Sequence, residues 1–354
     1  MHALPKRVFT RRRLLNAGVA VAAVVPSLPA TLKAQADELV LFNWDSYIDP
    51  QTIPEFQEAT GIRVRYELFA SNDELFAKLR AGNPGYDVVF PSNDWVARMR
   101  AAEMLMPLDK ERLPNLEHIR GNFMDPPHDP GREYSVPYFW GTVGIGYRKS
   151  VASPTSWAAL YDGDEHAGRI AVQRENDTLL SALKYLGYSI NTTDPAKLDE
   201  AVQLLLRAKR HFKTFAPDTG QDLLLSREVD LALEYNGDIL QVMEEDDDLA
   251  YVVPEEGSII WEDDMVIPRG APHVEAAHEF INYVHDPENN AQIAEWVMYP
   301  TPNEAAKSRL PEEITGNSAI YPPDAILDLC EYAAYQGEEA QSLRDAAMTR
   351  VLAG

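Results

Sequence analysis

Short apolar runs alternate with helically spaced segments over the first hundred residues that follow an N-terminal basic and apolar stretch. Residues 38–42 form a compact apolar run, residues 62–66 alternate apolar and polar, and residues 86–90 are again compact and β-rich, which predicts three strands. Between them, residues 53–59 and 72–81 carry apolar positions at helical spacing, and Ser71 with Glu74 forms a capping box that opens the second helix. The resulting β-α-β-α-β order predicts a parallel sheet with right-handed crossovers. Ligands of such sheets gather at the carboxyl ends of the strands. A Pro/Gly-rich stretch, residues 125–131, leads into residues 136–141 and the Gly144-Ile145-Gly146 strand, which predicts passage into a second lobe. A second α/β pattern follows there. It has a strand at 169–172, helices at 178–188 and 196–212, a strand at 231–234 and a helix opened by Asn236-Gly237. Residues 265–268 are expected to cross back, and from Val274 onward the pattern is helical. The fold class predicted is α/β with two lobes, each a mostly parallel sheet flanked by helices.

Ahead of this pattern, Arg11-Arg12-Arg13 precedes an apolar run over 17–25, far short of the ~20 residues that span a bilayer, and Ala34-Gln35-Ala36 fits a small-x-small cleavage site. Residues 1–36 are therefore expected to be a twin-arginine-type export signal. The remaining 318 residues exceed what one core usually supports, consistent with two lobes. Net charge is −24, and without the six basic residues of the signal 26 Lys/Arg face 56 Asp/Glu, a net −30. Nucleic acid and anionic lipid are poor partners for such a surface, whereas a cationic small ligand is attracted to it. The lone cysteine, Cys330, reads as a small core residue far from the cleavage site. It excludes an internal disulfide and an acylated N-terminal cysteine, so the expected product is a periplasmic, exported, soluble protein and not a lipoprotein.

Motifs of catalysis do not occur: no Gly-x-Ser-x-Gly, no phosphate-cradling loop, no His-Glu-x-x-His. The Glu275/His278 pair stands at the i, i+3 spacing of a carboxylate metal site but has no second pair and reads as a solvated helix face, and the acidic run 244–248 lacks the Gly and the spacing of a calcium loop, so neither a catalytic residue, a metal nor a cofactor is expected. Rings beside acids do recur in predicted strand-end loops. Trp44, Asp45 and Tyr47 follow the first strand, Ser92 and Asp94 the third, and Tyr235, Trp261 with Asp263, and Tyr299 come later. This pairing suits an ammonium: stripping its water costs several kcal/mol, which carboxylates offset, and each aromatic face adds about 0.5–2 kcal/mol while sandwiching methylenes.

Phe42-Asn43-Trp44-Asp45-Ser46-Tyr47-Ile48, Val88-Val89-Phe90-Pro91-Ser92, Pro137-Tyr138-Phe139-Trp140-Gly141, Leu186-Gly187-Tyr188-Ser189, Asn191-Thr192-Thr193-Asp194-Pro195, Trp261-Glu262-Asp263 and Tyr299-Pro300-Thr301-Pro302-Asn303 closely resemble, in order, the spermidine/putrescine-binding proteins of bacterial polyamine importers. The resemblance implies a clamshell of the second structural type, with residues 37–142 and 263–307 in lobe 1 and residues 143–262 and 308–354 in lobe 2. It implies a monomer that closes over a polyamine and delivers it to an ABC permease with its ATPase. It carries ring roles to Trp44, Tyr47, Trp261 and Tyr299, a ring to Tyr235 where the spermidine-type proteins have Trp, a polar contact to Ser92, and amine-holding carboxylates to Asp263 and Asp177. Asp45 is either a further cleft acid or the cap of the helix that begins near Pro50. Three positions depart from the family's pattern: Arg174 stands where it has an acid, Asp94 where it has Tyr or a small polar residue, and Ala333 where it has Gln. These departures leave open an amino acid-like zwitterion or another organic cation as ligand, with Arg174 taking a carboxylate, and a sensor role for the same clamshell.

Overall fold

A computed structural model describes residues 38–354 apart from Gly163, Glu175 and Asp218; the segment 1–36, expected from the sequence to be an export signal, lies outside the described residues. The first α/β pattern forms as the spacing predicts: β1 (Glu38–Asn43), α1 (Thr52–Thr60), β2 (Arg63–Leu68), α2 (Asn72–Arg80) and β3 (Val88–Val89). The α2 cap is the predicted one, with the Ser71 hydroxyl accepting from the Glu74 N–H at 3.2 Å. The Glu74 carboxylate reaches back to the Ala70 N–H at 3.0 Å. Next come α3 (Asn93–Ala101), β4 (Ser135–Arg148), α4 (Ala158–Tyr161), β5 (Ile170–Gln173), α5 (Asp177–Tyr185), α6 (Pro195–Ala208) and β6 (Phe212–Ala216). They are followed by α7 (Gly220–Leu225), β7 (Leu231–Tyr235), α8 (Asn236–Met243), β8 (Leu249–Val252) and β9 (Ile259–Val266). The C-terminal part holds α9 (Val274–Val284), α10 (Pro287–Val297), α11 (Glu304–Lys307), α12 (Glu312–Thr315), α13 (Asp324–Leu327), β10 (Glu331–Tyr332) and α14 (Glu338–Ala353).

Strands run in the order β2-β1-β3-β9-β4-β7-β5-β6, with β10 beside β9 and β8 beside β4. The β1–β2, β1–β3, β5–β6 and β5–β7 pairs are parallel, whereas β9 and β4 run antiparallel to their neighbours on this path. The fold is therefore two-lobed α/β, and β4 is the element the lobes share. Its first half pairs with β9, from Ser135 opposite Val266 to Thr142 opposite Ile260, and its second half, Val143 to Tyr147, pairs with β7. A strand that serves two sheets is buried on both faces, which is why residues 135–146 form one uninterrupted buried run.

Several expectations are corrected. The crossing expected at residues 265–268 is carried by the whole of β9, and Met265 and Val266 already lie deep in the first sheet. Trp261 to Asp264 is strand, not polar loop. Residues 93–95 form the first turn of α3, the helix expected to run to Phe212 ends at Ala208 and Phe212 opens strand β6, and the C-terminal part is interrupted by β10. Cys330 sits between α13 and β10, its sulfur accepting the Ser258 N–H at 3.3 Å. His278 is buried, its Nε2 accepting the Asp109 N–H at 2.9 Å. Among the described residues no helix is long and apolar enough to cross a membrane.

Candidate ligand-binding site

The site grows from β9, where backbone alternation decides what each residue faces. Trp261 and Asp263 point to one side, Glu262 and Asp264 to the other. Asp263 is buried, and its Oδ1 accepts the Ser92 hydroxyl at 2.7 Å. Ser92 is held in turn by Asn72, whose Nδ2 donates to the Ser92 hydroxyl at 2.9 Å and whose Oδ1 accepts the Ser92 N–H at 3.1 Å. Burial pushes the Asp263 carboxyl up to about 7; the Ser92 and Tyr47 hydroxyls pull it down, and the Asp264 and Glu262 charges push it further up. A carboxylate in this state gains from a cation. The Tyr47 hydroxyl, also buried, faces Asp263, and burial and the Asp263 charge together hold it well above its usual range, so it stays a neutral phenol beside the carboxylate.

Rings extend from this carboxylate toward the second lobe, edge against face. Tyr47 meets Tyr299 at 5.6 Å between centroids, Tyr299 meets Trp261 at 4.9 Å, and Trp261 meets Tyr235 at 6.0 Å, each pair within ten degrees of perpendicular. The chain ends on Asp177, the first residue of α5, whose Oδ2 accepts the Tyr235 hydroxyl at 3.0 Å. The line Ser92, Asp263, Tyr47, Tyr299, Trp261, Tyr235, Asp177 thus runs from one acid to another along aromatic surface. Two glycines make room for it. A Cβ on Gly141 would meet the Trp261 ring at 2.4 Å, and one on Gly237 would meet the Tyr299 ring at 2.2 Å.

The remaining predicted residues stand apart from this line. Trp44 is half-buried at the end of β1, its Nε1 donating to the Phe90 carbonyl at 2.8 Å and its ring 4.3 Å from that of Phe69. Asp45 is exposed and accepts the Ser46 N–H at 2.9 Å, which fits neither a cleft acid nor a cap of α1, whose N-cap is Gln51. Asp94, in the first turn of α3, is raised to about 6 by burial, against the pull of backbone N–H groups and of the Arg344 and His128 charges. The Arg344 charge that acts on it comes from α14. Arg174 is exposed just past the end of β5.

Sequence reasoning missed Asn72 and what lies behind β9. The Arg132 guanidinium bonds Glu262 and also Asp264, the latter at 2.5 Å, and His128 Nε2 lies 2.9 Å from Asp264 and 3.4 Å from Glu262. His128, Glu262 and Asp264 have the composition of a metal triad, but the guanidinium already fills the cation's role between the two carboxylates. The clue was Trp261-Glu262-Asp263-Asp264 itself: three consecutive acids in a strand require buried cations nearby.

Fold and site together define a protein that captures a small solute between two lobes, and the chain belongs to the bacterial extracellular solute-binding proteins, a family that matches residues 51–322. Proteins of this kind are transport subunits and not enzymes, and the same holds for this chain. It is 33% identical over 315 residues to a spermidine/putrescine-binding periplasmic protein of Escherichia coli K12, covering 88% of this chain and 89% of that one. It is likewise 33% identical over 321 residues to a putrescine-binding periplasmic protein of Pseudomonas aeruginosa, covering 84% and 88%. Among solved structures, a spermidine/putrescine transporter substrate-binding protein of Streptococcus pneumoniae superposes with a TM-score of 0.84 at 34% identity, over 90% of this chain and 99% of that one.

Proposed function

We propose that this chain is the extracytoplasmic solute-binding subunit of an ABC importer, taking up a linear polyamine of the putrescine or spermidine class in the cleft between its lobes. The observation that carries the reading is Asp263: a buried carboxylate raised to about 7, walled by Tyr47, Tyr299 and Trp261, in which a cation replaces the proton. Asp177 with Tyr235 offers the second anchor, so an alkyl chain with an ammonium at each end fits better than a monoamine. Relatives named for spermidine and putrescine binding support the same ligand class. Trp44, Ser92 and, further from the line of rings, Asp94 complete the proposed contacts, whereas the exposed Asp45 is left outside them. On the same footing the lobes are 37–142 with 263–307 and 143–262 with 308–354. The mature protein is a periplasmic monomer without a lipid anchor, exported by the segment 1–36, and it docks on a membrane permease coupled to an ATPase.

A second reading is favoured by two donors. The Trp261 Nε1–H is buried without an acceptor among the described residues, and Arg174 is an exposed cation where the resemblance leads one to expect an acid. Both would suit a carboxylate-bearing amine. Melting scans of the mature protein with putrescine, spermidine, butylamine, γ-aminobutyrate and lysine separate the two. Ligand at 100 times its dissociation constant adds about 2.7 kcal/mol of stability. Stabilisation by putrescine or spermidine alone is expected; stabilisation by γ-aminobutyrate or lysine alone would replace the polyamine with a zwitterion.

A further inference from the structure

Three consecutive carboxylates, Glu262, Asp263 and Asp264, lie buried in one strand. Left uncompensated, they would repel one another and take up protons, and the site would lose its charge. The compensation comes from a tight turn that precedes β4. Gly131 and Arg132 both adopt left-handed backbone, φ 71° and 52°, and for Arg132 this costs on the order of 1 kcal/mol. The turn drives the guanidinium under β9, where Nε donates to the Phe123 carbonyl at 2.7 Å and Nη1 donates to the Ser135 hydroxyl at 3.0 Å and to Asp264. Nη2 donates to Glu262. His128 stands beside it, between the same two carboxylates.

We infer that Arg132 and His128 are positioning residues for the binding carboxylate: from the opposite face of β9 they balance Glu262 and Asp264, so that the strand presents its net negative charge to the ligand through Asp263. The inference rests on the reading that Asp263 receives a ligand cation. It accounts for a buried arginine held in a costly backbone conformation with no contact to the line of rings. Burial alone would lower the His128 ring, and the Asp264 and Glu262 charges outweigh it, raising it to about 9, so the imidazole is a cation at neutral pH. Burial alone would raise both acids: Arg132 and His128 outweigh it at Asp264, holding that carboxyl below its usual range, whereas at Glu262 burial and the Asp264 charge prevail over the pull of Arg132 and His128 and the carboxyl stands above its usual range. The other groups facing this cluster do not supply the balance. Asp129 accepts the Tyr134 and Ser135 N–H groups and pairs with Arg100 of α3 at 3.2 Å. Tyr332 on β10 is pushed well up by burial and by Glu262 and so stays neutral, and His285 is lowered to about 4 by burial and Arg132. Asp94 feels the His128 charge from α3. On the ligand side, Tyr47, Tyr138 and Ser92 face Asp263 as neutral hydroxyls.

Arg132→Met strips a buried guanidinium from two carboxylates and is expected to compromise folding, so two milder substitutions carry the test. Carbon NMR of labelled aspartate, assigned through Asp263→Asn, reads the Asp263 titration in the ligand-free chain. His128→Gln keeps a hydrogen bond to Asp264 but removes positive charge, and the Asp263 midpoint is expected to rise by on the order of one pH unit; Glu262→Gln removes a negative charge, and the midpoint is expected to fall. Putrescine titrations should follow. His128→Gln binds about fivefold more weakly at pH 7, because the ionised fraction drops from about one half to about one tenth, and it recovers by about pH 9, where alkylammoniums are still charged. Midpoints that move in the same direction, or not at all, overturn the inference, since lost packing has no sign. A wild-type protein that binds no polyamine while the two midpoints move apart overturns the polyamine reading and leaves the charge balance standing.

Discussion

At the scale of the residue, the account turns on Asp263 and on the sign of its linkage to folding. Its folded value of about 7 lies above the unfolded carboxyl near 3.8, so between these limits the folded chain holds a proton that the unfolded chain has released. Stability from this group is fully present below about pH 4 and is lost as pH rises through about 7. Three pH units correspond to an upper bound of about 4 kcal/mol. The ligand-free protein is therefore expected to lose stability from pH 4 to 8, and Asp263→Asn to lose less. In urea titrations at a series of pH values, the Asn variant should gain on the parent as pH rises. A difference that stays constant with pH would mean the carboxyl is ionised throughout and needs no cation.

At the scale of the element, rings can only lie on β4 and α8 because glycines face them. Gly237→Ala improves helix propensity by about 0.5–1 kcal/mol, yet it sets a methyl group against the Tyr299 ring, at distances of 2.2 to 2.7 Å. The net expectation is a loss of about 1–3 kcal/mol in denaturant unfolding together with weaker ligand binding. Gly121→Ala, with open space around it, should stay within about 0.5 kcal/mol. Equal effects at the two positions would deny that Tyr299 is seated by close packing. The same elements show what was legible in the chain. Strand β2 and helices α1 and α2 follow directly from apolar spacing and the Ser71 cap, because each turns one face to the core and leaves the other wet, and β1 follows from its compact apolar run, which is buried on both faces. Strand β9 was hidden because three acids in a row read as loop until Arg132 and His128, some 130 residues earlier in the chain, are brought beneath them. Asp45 misled for the opposite reason: its neighbours Trp44 and Tyr47 turn inward, and it does not.

At the scale of the molecule, the line from Asp263 to Asp177 joins strand β9, which pairs into the first sheet, to helix α5, which follows the second sheet's β5. On the proposed reading, a ligand bridging these acids is expected to draw the two lobes together, and the surplus of acidic residues favours the arrival of a cation. Calorimetric titration of putrescine into the parent protein and into Asp263→Asn at pH 8 tests this most directly. The account predicts saturable one-to-one binding by the parent and a loss of about 2–5 kcal/mol in the Asn variant, in which an ammonium would remain buried without its carboxylate. Equal affinity in the two proteins, or no binding of putrescine by the parent, would contradict it.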